Sequence, residues 1–341
     1  MDLYIGDFSV IGCFIRHLYT KFTRPLRQLD NMNLYQKMVR GELSKMKKSI
    51  LSVMVALTLS STGVAIAAPI QNQASPTAIA ATTKSGYGAG SQIKLSGAVN
   101  VRDLGGYRTK SGLKVKPNML IRSAKLNTLT KHDQQVLTKQ HHLAVDVDLR
   151  TPAEMKAAPD VKMSGVTYVA DPVVSNKESQ SNDKIFDKNG EQAMIDYYNY
   201  FVDSTQGRAA YKKLFHELLT VPKGKAVLWH CSAGKDRAGF GTALVLTALG
   251  VDKDTIYKDF LLSNKYRKQT NDAALAALKK KGASKTELKS NYYGLIVEKQ
   301  YLDEAYKAAN KHYGSMNGFL HKGLGLTSSD INKLRAKYLE K

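Results

Sequence analysis

Residues 93–340 predict an α/β domain: a central, mostly parallel sheet flanked by helices, with a helical C-terminal portion. Two observations carry that expectation. Short apolar runs bounded by turn signals or charges alternate with longer stretches of helical period, the pattern of strands joined by helical crossovers. Beyond residue 250 the helical pattern then continues with little interruption to the end of the chain.

Taken in order, 143–149, 167–170 and 226–229 read as buried strands. Helical period is found over 193–201, 207–219 and 239–249, the last closed by Gly250 as a C-terminal cap. The C-terminal portion predicts helices over 252–263, 272–280, 298–313 and 328–339, with Ser328-Ser329-Asp330 as an N-cap cluster.

The chain ahead of this body reads differently. Met46-Lys47-Lys48 opens a basic segment, an apolar run follows, and Ala65-Ile66-Ala67 offers a small-x-small exit, so 46–67 predicts a secretory signal cleaved before Ala68. A membrane anchor is the alternative, and Ser60, Ser61, Thr62 and Gly63 interrupt the apolar run against it. Residues 68–92, rich in Ala, Thr, Ser and Gly, read as a flexible linker. Residues 1–45 have no sustained period; Arg40-Gly41-Glu42 reads as a translated purine-rich ribosome-binding site, which places the start at Met46, with an unusually long leader as the alternative. The pattern predicts a secreted or cell-envelope-associated product.

The charge is strongly positive: 51 Lys and Arg against 29 Asp and Glu, a net +22 over 341 residues. Nine of those basic and four of those acidic residues fall within 1–67, so the remainder carries +17. Such an excess suits nucleic acid, an anionic surface or phosphorylated substrates. Two cysteines, Cys13 and Cys231, exclude a disulfide-dense scaffold and a four-cysteine zinc site. No Gly-rich nucleotide loop, dinucleotide fingerprint or zinc spacing occurs, so no cofactor or metal is expected, and nucleic acid has only charge in its favour. His141-His142 and Lys279-Lys280-Lys281 read as surface features.

The chemistry concentrates at His230-Cys231-Ser232-Ala233-Gly234-Lys235-Asp236-Arg237, which predicts strand, short loop and helix. Five residues between Cys231 and Arg237 let successive backbone N–H groups turn inward as an anion nest. The helix that follows adds its positive N-terminal end, and both effects favour the thiolate of Cys231. Arg237 supplies a planar fork for two phosphate oxygens, and Gly234 lets the loop curl. These parts fit nucleophilic displacement at phosphorus through a phosphocysteine intermediate.

This loop resembles the signature of the protein tyrosine phosphatase superfamily, and its Gly-Lys-Asp-Arg ending resembles the bacterial group that also acts on phosphoserine and phosphoinositides. Further blocks agree: Gly97 to Tyr107, Ile121 to Leu126, Val147-Asp148-Leu149-Arg150 with Glu154, Lys258 to Asn264, and Tyr313-Gly314-Ser315 through Leu324-Gly325-Leu326. The resemblance implies a phosphatase domain over 93–340, with Cys231 as nucleophile and Arg237 as phosphate binder. It further implies that Ser232, Ala233, Gly234 and Lys235 line the pocket, and that His230 and Asp103 support it. Asp236 is implied as general acid, with Asp171, before Pro172, as the rival. Lys235 is the position that meets an additional ring phosphate in phosphoinositide phosphatases, with a solvated lysine as the alternative. Arg102-Asp103 is expected to brace the loop through a salt link. Ala238 departs from the pattern, which places Ser or Thr there, and Ser232 is the residue that could compensate. Phosphorylated proteins are the expected substrates; phosphoinositides, or a weakly active phosphate-binding module on an anionic cell envelope, are the alternatives.

Overall fold

Four consecutive β-strands of the sequence end at one edge of a sheet, and that edge carries the Cys231 loop. The structure, a computed structural model, describes residues 89–180 and 189–341. The expectations for the N-terminal extension, the leader and the linker up to residue 88 lie outside the described residues.

In chain order the strands are β1 (Arg102–Asp103), β2 (Lys114–Val115), β3 (Leu120–Ser123), β4 (Leu143–Asp148), β5 (Thr167–Ala170), β6 (Ala226–His230) and β7 (Leu339–Glu340). The main sheet has the order β1-β3-β6-β4-β5. β3, β6, β4 and β5 are parallel, and β1 pairs antiparallel with β3. β2 and β7 form a separate antiparallel pair. The register aligns Ser123 and Asp148 with His230, and Asp148 with Ala170, so the carboxyl ends of all four parallel strands lie side by side. Open α/β sheets place their sites outside this edge.

β6 has helices on both faces, which explains its uninterrupted apolar run. Val227 and Trp229 enter the larger core with Phe240, Leu214 and Tyr211, whereas Ala226 and Leu228 enter the smaller one with Ile121, Leu137 and Leu143. Each fully buried side chain of this size contributes about 1.5–3 kcal/mol of transfer free energy.

Among the described residues the α-helices include α1 (Lys131–Gln135), α2 (Pro152–Ala157), α3 (Gly190–Asp203), α4 (Thr205–Thr220), α5 (Arg237–Leu249), α6 (Lys253–Lys280), α7 (Lys285–Leu295), α8 (Lys299–Tyr313), α9 (Met316–Gly318) and α10 (Ser328–Tyr338), and two π-helical segments span Val136–Gln140 and Phe319–Gly323. α5 follows the Cys231 loop directly and is buried on nearly every side, and Gly250 closes it at φ +89°. α10 is capped by Thr327 rather than by the Ser328-Ser329-Asp330 cluster, with Asp330 completing the box from inside the helix.

Two expected helices, 252–263 and 272–280, are one continuous helix of 28 residues, α6. The polar stretch between them turns one face inward, carrying Asn264, Arg267 and Asn271, while Lys265, Lys268, Gln269 and Thr270 stay exposed. Asn264 bonds the backbone of Val297 in both directions at 2.8 Å, and Asn271 donates to the Leu295 carbonyl at 2.8 Å. His141, read as a surface residue, is buried, with Nδ1 2.8 Å from Asn118 Oδ1. His142 is exposed.

Candidate active site

Residues 231–236 connect β6 to α5, and side chains from three distant segments hold the loop from outside. Asn100 Nδ2 donates to the carbonyls of Ala233 and Gly234 at 3.1 and 2.9 Å. Arg122 Nη2, from β3, donates to Gly234 and Lys235 at 2.8 and 3.3 Å. Arg267 Nη1, from α6, donates to Ala233 at 3.2 Å. In a trans peptide the C=O and the following N–H point in opposite directions. Pinning the carbonyls of residues 233–235 outward therefore turns the amides of Gly234, Lys235 and Asp236 toward the inside of the loop. Gly234 makes the turn at φ +68°, where a Cβ would come within 2.5 Å of the Ser123 backbone.

Asp259 of α6 anchors two of these braces, Arg122 directly and Asn100 through Arg102. Buried and 1% exposed, it accepts from Arg102 Nε at 2.9 Å, Arg122 Nη1 at 2.7 Å and the Tyr107 hydroxyl at 3.0 Å. Arg102 also donates to Asn100 Oδ1 at 2.7 Å, aiming that amide at the loop. Burial, joined by the Arg102 charge, lowers the Arg122 guanidinium to about 10. The salt-link brace thus runs from Arg102 to Asp259. Asp103 instead accepts from the Gly105 and Asn118 amides at 3.0 and 2.7 Å, shaping the turns beside β1 without touching the loop.

Inside the site, Cys231 is 1% exposed at the end of β6. The Arg237 fork meets Glu154 of α2, Nη1 to Oε2 at 2.5 Å and Nη2 to Oε1 at 2.9 Å. Glu154 Oε1 also accepts from the Ser232 hydroxyl at 2.5 Å. Burial opposes the charge on Glu154, but the Arg237 guanidinium outweighs it and holds the carboxyl well below the usual range. A capping box between Thr151 and Glu154 fixes the start of α2 and with it the carboxylate that orients Arg237. Tyr197 of α3 lies within electrostatic reach of Arg237, Glu154, Asp236 and Cys231. Ser232 is committed to Glu154 and so does not stand in for the hydroxyl missing at Ala238. Ala238 itself is buried, and its carbonyl accepts from Trp229 Nε1 at 3.1 Å and the Thr242 hydroxyl at 2.8 Å.

Lys235 turns inward rather than out to solvent. It is 2% exposed, with Nζ 2.7 Å from Asp236 Oδ2 and 3.1 Å from the Ile296 carbonyl. Asp236 Oδ1 accepts from the Tyr198 hydroxyl at 3.0 Å. Asp171, the rival acid, is buried just past β5 in the field of Lys213 and Glu217, and burial raises its carboxyl to about 7. No hydrogen bond or ion pair among the described residues ties its side chain to the loop.

Beneath Cys231, His230 is completely buried among carboxylates, with Nε2 3.1 Å from Asp160, 3.4 Å from Asp146 and 3.8 Å from Asp148. Arg150 bridges Asp148 and Asp160, both at 2.6 Å. Asp146, Asp160 and His230 are the ligand-type side chains that cluster within 4.8 Å among the described residues. Arg150 already neutralises Asp160 there, and His230 in its protonated form supplies the second cation.

A thiol at the carboxyl edge of a parallel sheet, three inward amides and an oriented guanidinium converge on one loop, an arrangement with the donors to hold a phosphate group beside a sulfur nucleophile. The model of the tyrosine phosphatase family matches residues 93–340, and the chain belongs to that family and is an enzyme of its class. It is similar to a Cupriavidus necator protein provisionally named a tyrosine-protein phosphatase, at 30% identity over 70% of this chain and 85% of that protein. A triple specificity protein phosphatase of Mycobacterium tuberculosis is 27% identical over 72% of this chain and 98% of its own length. A tyrosine-protein phosphatase of Nostoc commune is 26% identical over 65% of this chain and 75% of that protein.

Sequence reasoning missed Asn100, Arg122, Arg267 and Asp259 as loop supports, and Tyr197 and Tyr198 as neighbours of the site. Arg122 and Asp259 fall within the family's motif blocks, but nothing local marks them as partners 137 residues apart.

Proposed function

We propose that this chain is an exported phosphatase that hydrolyses phosphotyrosine in proteins or peptides, and with lower preference phosphoserine or phosphothreonine, through a phosphocysteine intermediate. Cys231 Sγ attacks phosphorus, the bond to the leaving oxygen breaks, and Asp236 gives that oxygen a proton. Water then attacks phosphorus, the S–P bond breaks with its electron pair returning to sulfur, and Asp236 takes the proton from the water. Arg237 and the inward amides hold the non-bridging oxygens, where charge accumulates in the transition state. The observation that carries the reading is the convergence of Cys231, the outward-pinned loop carbonyls and the Glu154-oriented Arg237 at one sheet edge. Export rests on the leader pattern of residues 46–67, and a basic surface favours phosphorylated or envelope-bound anionic partners.

Phosphotyrosine is favoured over phosphoinositide because Lys235, which would meet a second ring phosphate, is engaged by Asp236 and Ile296. The Tyr197 ring, within electrostatic reach of Arg237 and Cys231, also suits an aryl substrate. Turnover of p-nitrophenyl phosphate by the full chain tests the reaction; Cys231→Ser is expected to lower kcat by ~10³-fold or more. Equal rates for the two proteins would remove the enzymatic reading. Phosphotyrosine peptide, phosphoserine peptide and phosphoinositide assayed side by side then rank the substrates, and a phosphoinositide turned over fastest would reverse the proposed preference.

A further inference from the structure

Asp236 occupies the N-cap of α5, yet it does not cap the helix. An aspartate there ordinarily accepts from the second or third amide of its helix. This one makes no such bond, and its backbone sits at φ −88°, ψ −78° instead of the extended conformation of a capping residue. Its carboxylate is taken up by two donors from elsewhere. The Tyr198 hydroxyl donates to Oδ1 at 3.0 Å, and Lys235 Nζ lies 2.9 Å from Oδ1 and 2.7 Å from Oδ2.

We infer that Tyr198 is a positioning residue for Asp236, aiming its carboxylate into the phosphate loop and setting how readily that carboxylate takes and returns the catalytic proton. The inference rests on the phosphatase reading and adds a residue to it. Tyr198 is suited to the task because it is completely buried and its ring is wedged among Phe201, Phe260 and Tyr301, with centroids 5.1, 6.0 and 5.8 Å away. A phenol locked in this way delivers its hydroxyl to one place. Burial, reinforced by the Asp236 carboxylate, keeps that hydroxyl protonated far above the working range, so it is always a donor.

The other groups facing Asp236 come from each element packed against it: Lys235 in the loop, Tyr197 on α3, Arg267 on α6 and Tyr301 on α8. Across one catalytic cycle, the proton that Asp236 takes from the attacking water is the one it gives to the next leaving oxygen. Tyr198 and Lys235 hold the carboxylate in place for both halves of that exchange.

The test is Tyr198→Phe, which keeps the ring and deletes one hydroxyl. Losing a hydrogen bond to a charged group corresponds to about a tenfold loss in kcat. The kcat pH profile is expected to change shape, since the deleted hydroxyl acts on the group that exchanges the proton. KM for p-nitrophenyl phosphate should stay within about twofold, since the deleted group acts through Asp236 and not on the bound phosphate. In an Asp236→Asn background the same substitution should change kcat by less than about twofold, because an amide takes and returns no proton for Tyr198 to serve. A profile that superimposes on wild type would overturn the inference. So would a tenfold loss that persists in the Asp236→Asn background, which would make Tyr198 a support of the fold alone. Wild-type activity that survives Cys231→Ser would instead remove the phosphatase reading itself.

Discussion

Replacing Asp259 by Asn tests whether the Cys231 loop is held by charge delivered from α6. The carboxylate is 1% exposed and faces two buried guanidiniums, Arg102 at 2.9 Å and Arg122 at 2.7 Å. An amide keeps the shape but brings an NH2 group against donors on one side and removes the compensating charge from both arginines. Breaking a buried pair by removing one partner costs about 3–5 kcal/mol. In a domain of this size each kcal/mol lowers Tm by about 2–4 °C, so a fall of roughly 6–20 °C is expected. Activity should fall as well, because Arg122 also carries the Gly234 and Lys235 carbonyls. A displacement of about 1 Å in such a loop costs about 10²-fold. Thermal melting by circular dichroism and p-nitrophenyl phosphate kinetics well below the variant's Tm measure the two effects separately. The sign of the pH dependence follows from the same contacts. Burial opposes ionisation of Asp259, but Arg102 and Arg122 outweigh it and depress the carboxyl below its ordinary value. Its stabilising contribution is therefore present above the unfolded value of about 4 and is lost as pH falls through the lower folded value. The Tm gap between wild type and variant should narrow below about pH 4. A variant that melts within 2 °C of wild type, roughly the effect of 1 kcal/mol or less, and keeps full activity would refute the bracing argument.

Two further outcomes follow from the same geometry. Gly234→Ala puts a Cβ within 2.5 Å of the Ser123 carbonyl group at φ +68°, and backbone cannot yield as a side chain can. About 1–2 kcal/mol of left-handed strain and about 1–3 of overpacking are expected. Melting and turnover should both report the damage, and an active, undisturbed variant would contradict the close approach. His230 sets a pH limit at the other end: burial pushes its imidazole down, but Asp146, Asp160 and Asp148 prevail and raise it to about 9. Its contribution is complete below the unfolded value of about 6.5 and disappears as pH rises through that higher folded value. Asp146, raised to about 7 by burial, acts in the same direction at lower pH: its penalty grows as pH climbs from the unfolded value of about 4 and is complete above about 7. Melts across pH 6.5 to 9.5 should show Tm declining in the wild type and a flatter trend in His230→Asn; a level wild-type curve would show that no such ion cluster forms.

The parts of this protein that were legible in the sequence are those whose physics is local. The loop from Cys231 to Arg237 announces itself because an anion nest and a helix N-terminus are built from consecutive residues. β4, β5 and β6 were legible because strands buried in a sheet read as apolar runs. β3 did not read as a strand, since Arg122 interrupts its apolarity; that residue is buried only because Asp259 meets it from α6. α6 was read as two helices for a related reason, because Asn264, Arg267 and Asn271 look like a polar break. All three are spent on carbonyls, of Val297, Ala233 and Leu295.

The sequence alone therefore determined the α/β class and marked Cys231 and Arg237 as the two ends of one strand-to-helix loop, for these follow from short-range spacing and period. Tertiary structure decided the rest. It turned Lys235 inward to Asp236, seated Glu154 against Arg237, moved the brace from Asp103 to Asp259 and brought Tyr198 to the loop. Each of those contacts joins a charged or hydroxyl group to a partner that chain order does not reveal. A buried polar group must find such a partner or remain unsatisfied at a cost of about 1–3 kcal/mol, and only the packed fold shows which one it found.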